Sequence, residues 1–166
     1  MTTTLILGGA RSGKTSHALR AAEASGLRPV MIATAEALDE EMADRIARHR
    51  AERGPAWRTL EAPLDLVGAL AEIDPNEAAV VDCLTLWVSN LMHAERDLDR
   101  ESEGLIAALG TREVFLVSNE VGLGIVPDNA LARRFRDTAG RLNQQLAAAA
   151  DRVVFIAAGL PLILKG

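Results

Sequence analysis

Apolar positions along this chain follow two rhythms. Short unbroken runs, Leu5-Ile6-Leu7, Pro29-Val30-Met31-Ile32-Ala33-Thr34, Ala78-Ala79-Val80-Val81, Val114-Phe115-Leu116-Val117-Ser118 and Val153-Val154-Phe155-Ile156-Ala157-Ala158, read as strands buried on both faces. Between them the apolar residues recur at three- and four-residue spacings. That periodicity predicts helices from Lys14 to about Ala24, from Asp39 to about Glu52 with Leu38, Met42, Ile46 and His49 on one stripe, from Leu64 to Glu72, and from Asn129 to Ala150. Leu84–Leu109 is also helical in pattern, interrupted by the charged run Glu95–Glu101, which reads as a solvated turn or helix face. Ser25-Gly26, Gly54-Pro55 and Asp74-Pro75-Asn76 punctuate the elements, and Trp57–Glu61 predicts a brief extra strand. Continuous strands alternating with helices specify an α/β fold, a mainly parallel sheet covered by helices on both faces.

The first strand runs straight into Gly8-Gly9-Ala10-Arg11-Ser12-Gly13-Lys14-Thr15, a full match to the phosphate-binding pattern G-x-x-x-x-G-K-[ST]. The pattern has a mechanical reason. Glycines let successive backbone N–H groups curl around the β- and γ-phosphates, Lys14 reaches the same oxygens, and the Thr15 hydroxyl is placed to ligate Mg²⁺. The loop opens a helix, whose N-terminal dipole favours an anion.

Ligands in open α/β sheets sit beyond the C-terminal ends of the strands, so the residues after each apolar run are the candidates. Asp82 follows four apolar residues, as does a carboxylate that holds the Mg²⁺ on Thr15; the competing reading is a cap for the helix after Leu84. Glu120 is either a second metal or hydroxyl partner or a carboxylate that stabilises its own loop. That loop, Asn119 to Pro127, is glycine-punctuated and too long for a mere turn. His49 is either a half-buried side chain on the Met42/Ile46 stripe or a nucleophile, because Arg45, Arg48, Arg50, Arg53 and Arg58 crowd it with guanidinium groups suited to polyphosphate. His17 and His93 have no comparable setting, and Cys83 reads as a small buried filler.

Composition narrows the class further. The 166 residues suffice for one core, which predicts a single domain spanning the chain. A formal charge of −5 gives no basic field for general nucleic-acid binding. One cysteine excludes an internal disulfide and fits a reducing compartment; with no apolar run of membrane-spanning length and no leader pattern, the expectation is a cytoplasmic protein without a membrane span.

Several separated segments together resemble one family, the bifunctional adenosylcobinamide kinase/adenosylcobinamide-phosphate guanylyltransferases of cobalamin biosynthesis. They are Gly8–Thr15, Ile32–Ala35, Arg45-Ile46 leading to His49 and Arg53, Trp57-Arg58-Thr59, Asn119-Glu120-Val121-Gly122, Gly124–Pro127 and Arg133–Asn143. The resemblance implies a RecA-like nucleotide-binding fold, a homotrimer, and two reactions: phosphorylation of adenosylcobinamide by ATP or GTP with Mg²⁺, then transfer of GMP from GTP to that phosphate. It implies His49 as the guanylylated nucleophile, Lys14 as a catalytic residue, and nucleotide contacts at Gly8 to Thr15, Ala33, Thr34, Ala35, Arg50, Ala51, Glu52, Arg53, Glu61 and Asp82, with Thr15 and Asp82 on the metal. The chain departs from many members in a shorter segment between the Asp82 and Val114 strands, and it has no tyrosine. A monofunctional small-molecule kinase is the nearest rival. A nucleotide-binding switch module is disfavoured, because the 119–122 segment lacks the N-K-x-D guanine code.

Overall fold

The structure, a computed structural model, describes residues 1–36, 47, 53–110 and 112–166. The expected helix from Asp39 to Glu52 lies, except for Ala47, outside the described residues, and with it Arg45, Arg48, His49, Arg50, Ala51 and Glu52. The strands are β1 (Thr3–Gly8), β2 (Arg28–Ala33), β3 (Arg58–Glu61), β4 (Glu77–Asp82), β5 (Glu113–Asn119), β6 (Arg152–Ala157) and β7 (Leu160–Lys165). The helices among them are α1 (Lys14–Ala24), α2 (Leu66–Ala71), α3 (Leu84–His93), α4 (Leu98–Leu109) and α5 (Ala130–Ala149).

All seven strands form one sheet in the order β3-β2-β4-β5-β1-β6-β7. The first six are mutually parallel and β7 returns antiparallel on β6. Parallel strands need helical crossovers, which cover both faces and explain why the central strands read as unbroken apolar runs. One face, with Leu5, Val81, Leu116 and Val153, packs against α2 to α5 around the fully buried Trp87. The other, with Ile6, Val80, Val117 and Ile156, packs against Ala18 and Ala22 of α1. These alanines let α1 lie close to the sheet and bring its first turn over the strand ends.

Local signals set the boundaries. Asp65, Asp97 and Asn129 cap α2, α4 and α5 by accepting from the N–H groups of Gly68, Arg100 and Ala132. The break expected in the charged run is the turn between α3 and α4, while the expected helix from Leu64 begins two residues later. One element went unforeseen. Leu160–Lys165 forms β7, with every residue exposed, after a two-residue turn at Ala158-Gly159 where both residues have positive φ, 51° and 80°. Lys165 Nζ donates to the carbonyls of Ala147, Ala148 and Ala150 at 3.1, 3.0 and 2.6 Å, serving the free carbonyls at the C-terminus of α5.

Candidate nucleotide site

β1 ends at Gly8, and the five residues before α1 turn the chain back over the sheet edge. Glycine is required at Gly8 by close approach: a Cβ there would lie 2.5 Å from the Ile156 carbonyl oxygen and 2.7 Å from Ser12 Oγ. Gly13 caps α1 with φ 99°, in the left-handed region, and being glycine it leaves the first N–H groups of the helix to face a ligand rather than a side chain. The loop is braced by Ser12 N–H to Gly9 O at 3.3 Å and by Gly159 N–H, from the β6–β7 turn, to Ser12 O at 2.8 Å. Ala10 and Arg11 at its crest are exposed, and Arg11 has φ 53°.

Lys14 is 6% exposed and its Nζ donates to Gly9 O at 2.6 Å, so the ammonium lies folded back under the loop. Burial pushes its pKa below the ordinary lysine value, and the Asp82 carboxylate opposes that shift. Thr15 Oγ1 donates to Asp82 Oδ2 at 2.8 Å, across 67 residues of sequence. The helix after Asp82 takes Cys83 as its N-cap, without a side-chain bond, so the capping reading of Asp82 finds no support. Thr15 and Asp82 thus present a hydroxyl and a carboxylate oxygen together, the hard-oxygen pair that Mg²⁺ prefers. Among the described residues no group of three or more His, Cys, Asp or Glu could hold a metal.

Sheet register shows which other strand-end residues share this face. Asp82 pairs with Ala33, Ala33 with Glu61, Asp82 with Val117 and Gly8 with Asn119. Paired residues of parallel strands project to the same face, and every second residue along a strand returns to it. Glu61, Ala33, Asp82, Asn119 and Gly8 therefore line the α1 side of the sheet's C-terminal edge. Arg53 approaches β3 through Nη2 to Thr59 Oγ1 at 3.5 Å.

Thr34 is differently employed. Fully buried, its hydroxyl donates to Cys83 O and accepts from Cys83 N–H, both at 2.8 Å, tying the end of β2 to the end of β4. Asn90 Nδ2 donates to Thr34 O and Pro63 O at 2.8 and 3.0 Å. Thr34 thereby fixes the strand end that carries Asp82, and Ala35, partly buried, continues from it. The Cys83 thiol is buried, which raises its pKa and keeps it protonated. Glu120 Oε1 accepts Gly122 N–H at 2.7 Å and its own N–H donates to Gly8 O at 3.0 Å, the loop-stabilising role. His93 Nδ1 lies 2.7 Å from Ser89 O on its own helix.

The site's supporting bonds come from Thr85, Ser118 and Asn143, to which the sequence assigned no role. Asn119 N–H donates to Thr85 Oγ1 at 2.7 Å, Asn143 Nδ2 donates to Asn119 O at 3.4 Å, and Ser118 Oγ donates to Asn143 Oδ1 at 2.7 Å. Thr85, Ser118 and Asn143 are all buried polar residues, and a polar residue on an otherwise apolar helix stripe, for Thr85 and Asn143, or at the end of an apolar strand, for Ser118, was the available signal.

A family model described as cobinamide kinase / cobinamide phosphate guanyltransferase matches residues 4–164. The bifunctional adenosylcobalamin biosynthesis protein CobP of Pseudomonas aeruginosa is 52% identical over 167 residues, covering 98% of this chain and 96% of that protein. The bifunctional adenosylcobalamin biosynthesis protein CobU of Escherichia coli is 42% identical over 179 residues, covering 97% and 98%. Among solved structures, the flagellar accessory protein FlaH from Methanocaldococcus jannaschii superposes with a TM-score of 0.55 at 12% identity, over 99% of this chain and 78% of that one. The RadB recombinase does so with a TM-score of 0.50 at 18% identity, over 93% and 73%. At such identities these two likenesses bear on the fold alone, a P-loop NTPase fold of the RecA type.

Proposed function

The chain belongs to the cobinamide kinase/cobinamide phosphate guanyltransferase family, and from that premise we propose how its residues divide the two reactions. It is a bifunctional transferase: a nucleoside triphosphate phosphorylates adenosylcobinamide, and GTP then gives GMP to the new phosphate, yielding adenosylcobinamide-GDP and pyrophosphate. The observation that carries the kinase assignment is the convergence of the phosphate loop, buried Lys14 and the Thr15–Asp82 pair at one sheet edge.

In the first reaction the substrate hydroxyl oxygen bonds to the γ-phosphorus, the bond to the β–γ bridging oxygen breaks, and the nucleoside diphosphate leaves as the hydroxyl loses its proton. Such transfers depend on positioning and charge stabilisation more than on covalent help. The N–H groups at the start of α1 and the Lys14 ammonium supply both, and the loop's bracing fixes them before substrate arrives. Thr15 and Asp82 would hold Mg²⁺, which when bound offsets charge on the β- and γ-oxygens.

In the second reaction His49 is the nucleophile: its imidazole nitrogen bonds to the α-phosphorus of GTP and pyrophosphate leaves. A phosphate oxygen of the phosphorylated corrinoid then displaces the histidine, breaking the P–N bond. Two displacements spare one anionic phosphate from attacking another directly, and the arginines at 45, 48, 50 and 53 offset the charge that builds. Arg50, Ala51, Glu52, Arg53, Glu61, Ala33, Thr34 and Ala35 complete the nucleotide surroundings. On its length, charge and cysteine content the protein acts as one domain per chain in the cytoplasm, with small molecules rather than nucleic acid as partners, and on the family resemblance as a homotrimer. No helix among the described residues is long and apolar enough to cross a membrane.

GTP labelled at the α-phosphate tests this reading. Label should remain on the denatured protein, labile to acid and stable to base. His49→Ala should lose label and guanylyl transfer yet keep kinase activity. Label mapping to His17, His93 or Lys14 would refute the assignment of His49, and absence of any labelling would favour a kinase alone.

A further inference from the structure

Asn119 ends β5, the strand that lies between the two strands carrying the phosphate loop and Asp82. It pairs with Gly8, and Val117, two residues earlier on the same face, pairs with Asp82. Neighbouring strands are about 4.8 Å apart, so its Cα sits one strand from each half of the site, on the side over which α1 lays Lys14 and Thr15. A terminal phosphate cradled by Lys14 and facing Thr15 and Asp82 has this strand end as the sheet floor beneath it.

The backbone of Asn119 is held at both polar atoms by different helices. Its N–H goes to Thr85 of α3, and its carbonyl receives Asn143 of α5, itself fixed by Ser118. The side-chain amide is left with one weak partner, Cys83 Sγ at 3.9 Å from Nδ2. A sulfur satisfies an amide poorly, and a half-buried amide with spare donor capacity on a pinned backbone is preorganised to give a hydrogen bond at little entropic cost. Glu120, the next residue, alternates off this face and spends its carboxylate on Gly122.

We propose that the Asn119 side-chain amide donates to the terminal phosphate of the bound triphosphate and so distinguishes triphosphate from diphosphate at this site, Thr85 and Asn143 acting as positioning residues that aim it. The inference rests on the triphosphate-site reading of the phosphate loop. A donor at this place serves two ends. It strengthens as charge shifts during transfer, and it is lost to the diphosphate product, which eases release.

Calorimetric titration of the full chain with a non-hydrolysable GTP analogue and with GDP, each with Mg²⁺, tests it. Asn119→Ala should weaken triphosphate binding about tenfold, the worth of one hydrogen bond to a charged group, and leave GDP within about twofold. Asn119→Asp keeps the size but sets a carboxylate against a phosphate, so it should be at least as poor as alanine; a merely structural asparagine would be better replaced by aspartate. Should the alanine variant not fold, the aspartate variant carries the test through the same affinity ratio. An unchanged ratio in the folded variants, or equal losses for both nucleotides, would overturn the role of Asn119 alone. A wild-type chain that bound neither nucleotide would overturn the triphosphate site and this inference with it.

Discussion

Two loops leave adjacent strand ends and are built on opposite principles. The phosphate loop after β1 is short, braced by its own carbonyls and by the β6–β7 turn, with its lysine buried. The loop after β5 is anchored where it begins, at Asn119 and at Glu120, whose carboxylate holds Gly122 N–H, and where it ends, at Pro127 and Asp128, whose carbonyls accept from Arg133 Nη1 at 2.9 and 2.7 Å. Between those anchors Leu123, Ile125 and Val126 are 81%, 96% and 64% exposed. Phosphate chemistry demands atoms fixed before the ligand arrives; large apolar side chains on an open loop contribute nothing to the core and are free to meet a bulky partner. The first loop has no room for an added atom at Gly8, whereas the exposed apolar side chains of the second can be trimmed with little effect on stability.

The sharpest break in that contrast is Lys14→Ala. Kinase turnover should fall by at least about a hundredfold, because a charge aimed at the phosphates is deleted, while circular dichroism reports an intact fold. Activity within a few-fold of wild type would remove Lys14 from the mechanism. Gly8→Ala comes next: the added methyl meets the Ile156 carbonyl and Ser12 Oγ, both too close to accept it. It should cost about 2–3 kcal/mol, seen as a fall in Tm of about 5–10 °C. At the other loop Ile125→Ser should change stability by less than about 0.5 kcal/mol. If the open side chains serve the corrinoid, it should raise KM for adenosylcobinamide and leave nucleotide affinity unaltered. An effect on nucleotide affinity instead would mean that the loops are coupled.

A pH effect sharpens the same contrast. Burial lowers the Lys14 pKa in the folded state, so between that value and the ordinary lysine value the unfolded chain binds the extra proton. Folding stability attributable to this group therefore rises as pH climbs through that window. Denaturant titrations of wild type and Lys14→Met across alkaline pH should show wild type gaining relative to the variant; the opposite trend would contradict the buried ammonium. An effect of opposite sign belongs to the turn that braces the loop. Ala158 has a positive φ that asparagine tolerates better, so Ala158→Asn should stabilise by about 0.5–1 kcal/mol.

What the sequence made legible follows from what its letters can encode. The strand into Gly8–Thr15, and Asp82 at the end of an apolar run, were readable because parallel strands must be apolar throughout and turn polar where they meet ligand. β7 was not: Leu160–Lys165 is an edge strand exposed along its length, so no burial pattern marks it, and only Gly159 hinted at a turn. The bonds from the Thr34 hydroxyl to the Cys83 backbone could not be read either, because they join residues 49 positions apart. Asn119 was visible as the start of a loop, but its place beside the phosphate loop was not, for a topological reason. No local pattern tells that the fifth strand inserts between the first and the fourth.

The bond from Gly159 N–H to Ser12 O gives the phosphate loop an outside observer. That amide proton belongs to the β6–β7 turn, yet its protection from solvent depends on the loop holding shape. Its exchange with deuterium therefore times the opening of the nucleotide cradle, and does so from a glycine that no phosphate needs to touch. Ligands that tighten the cradle will slow this one clock, and variants that loosen it will speed it, whether or not any chemistry follows.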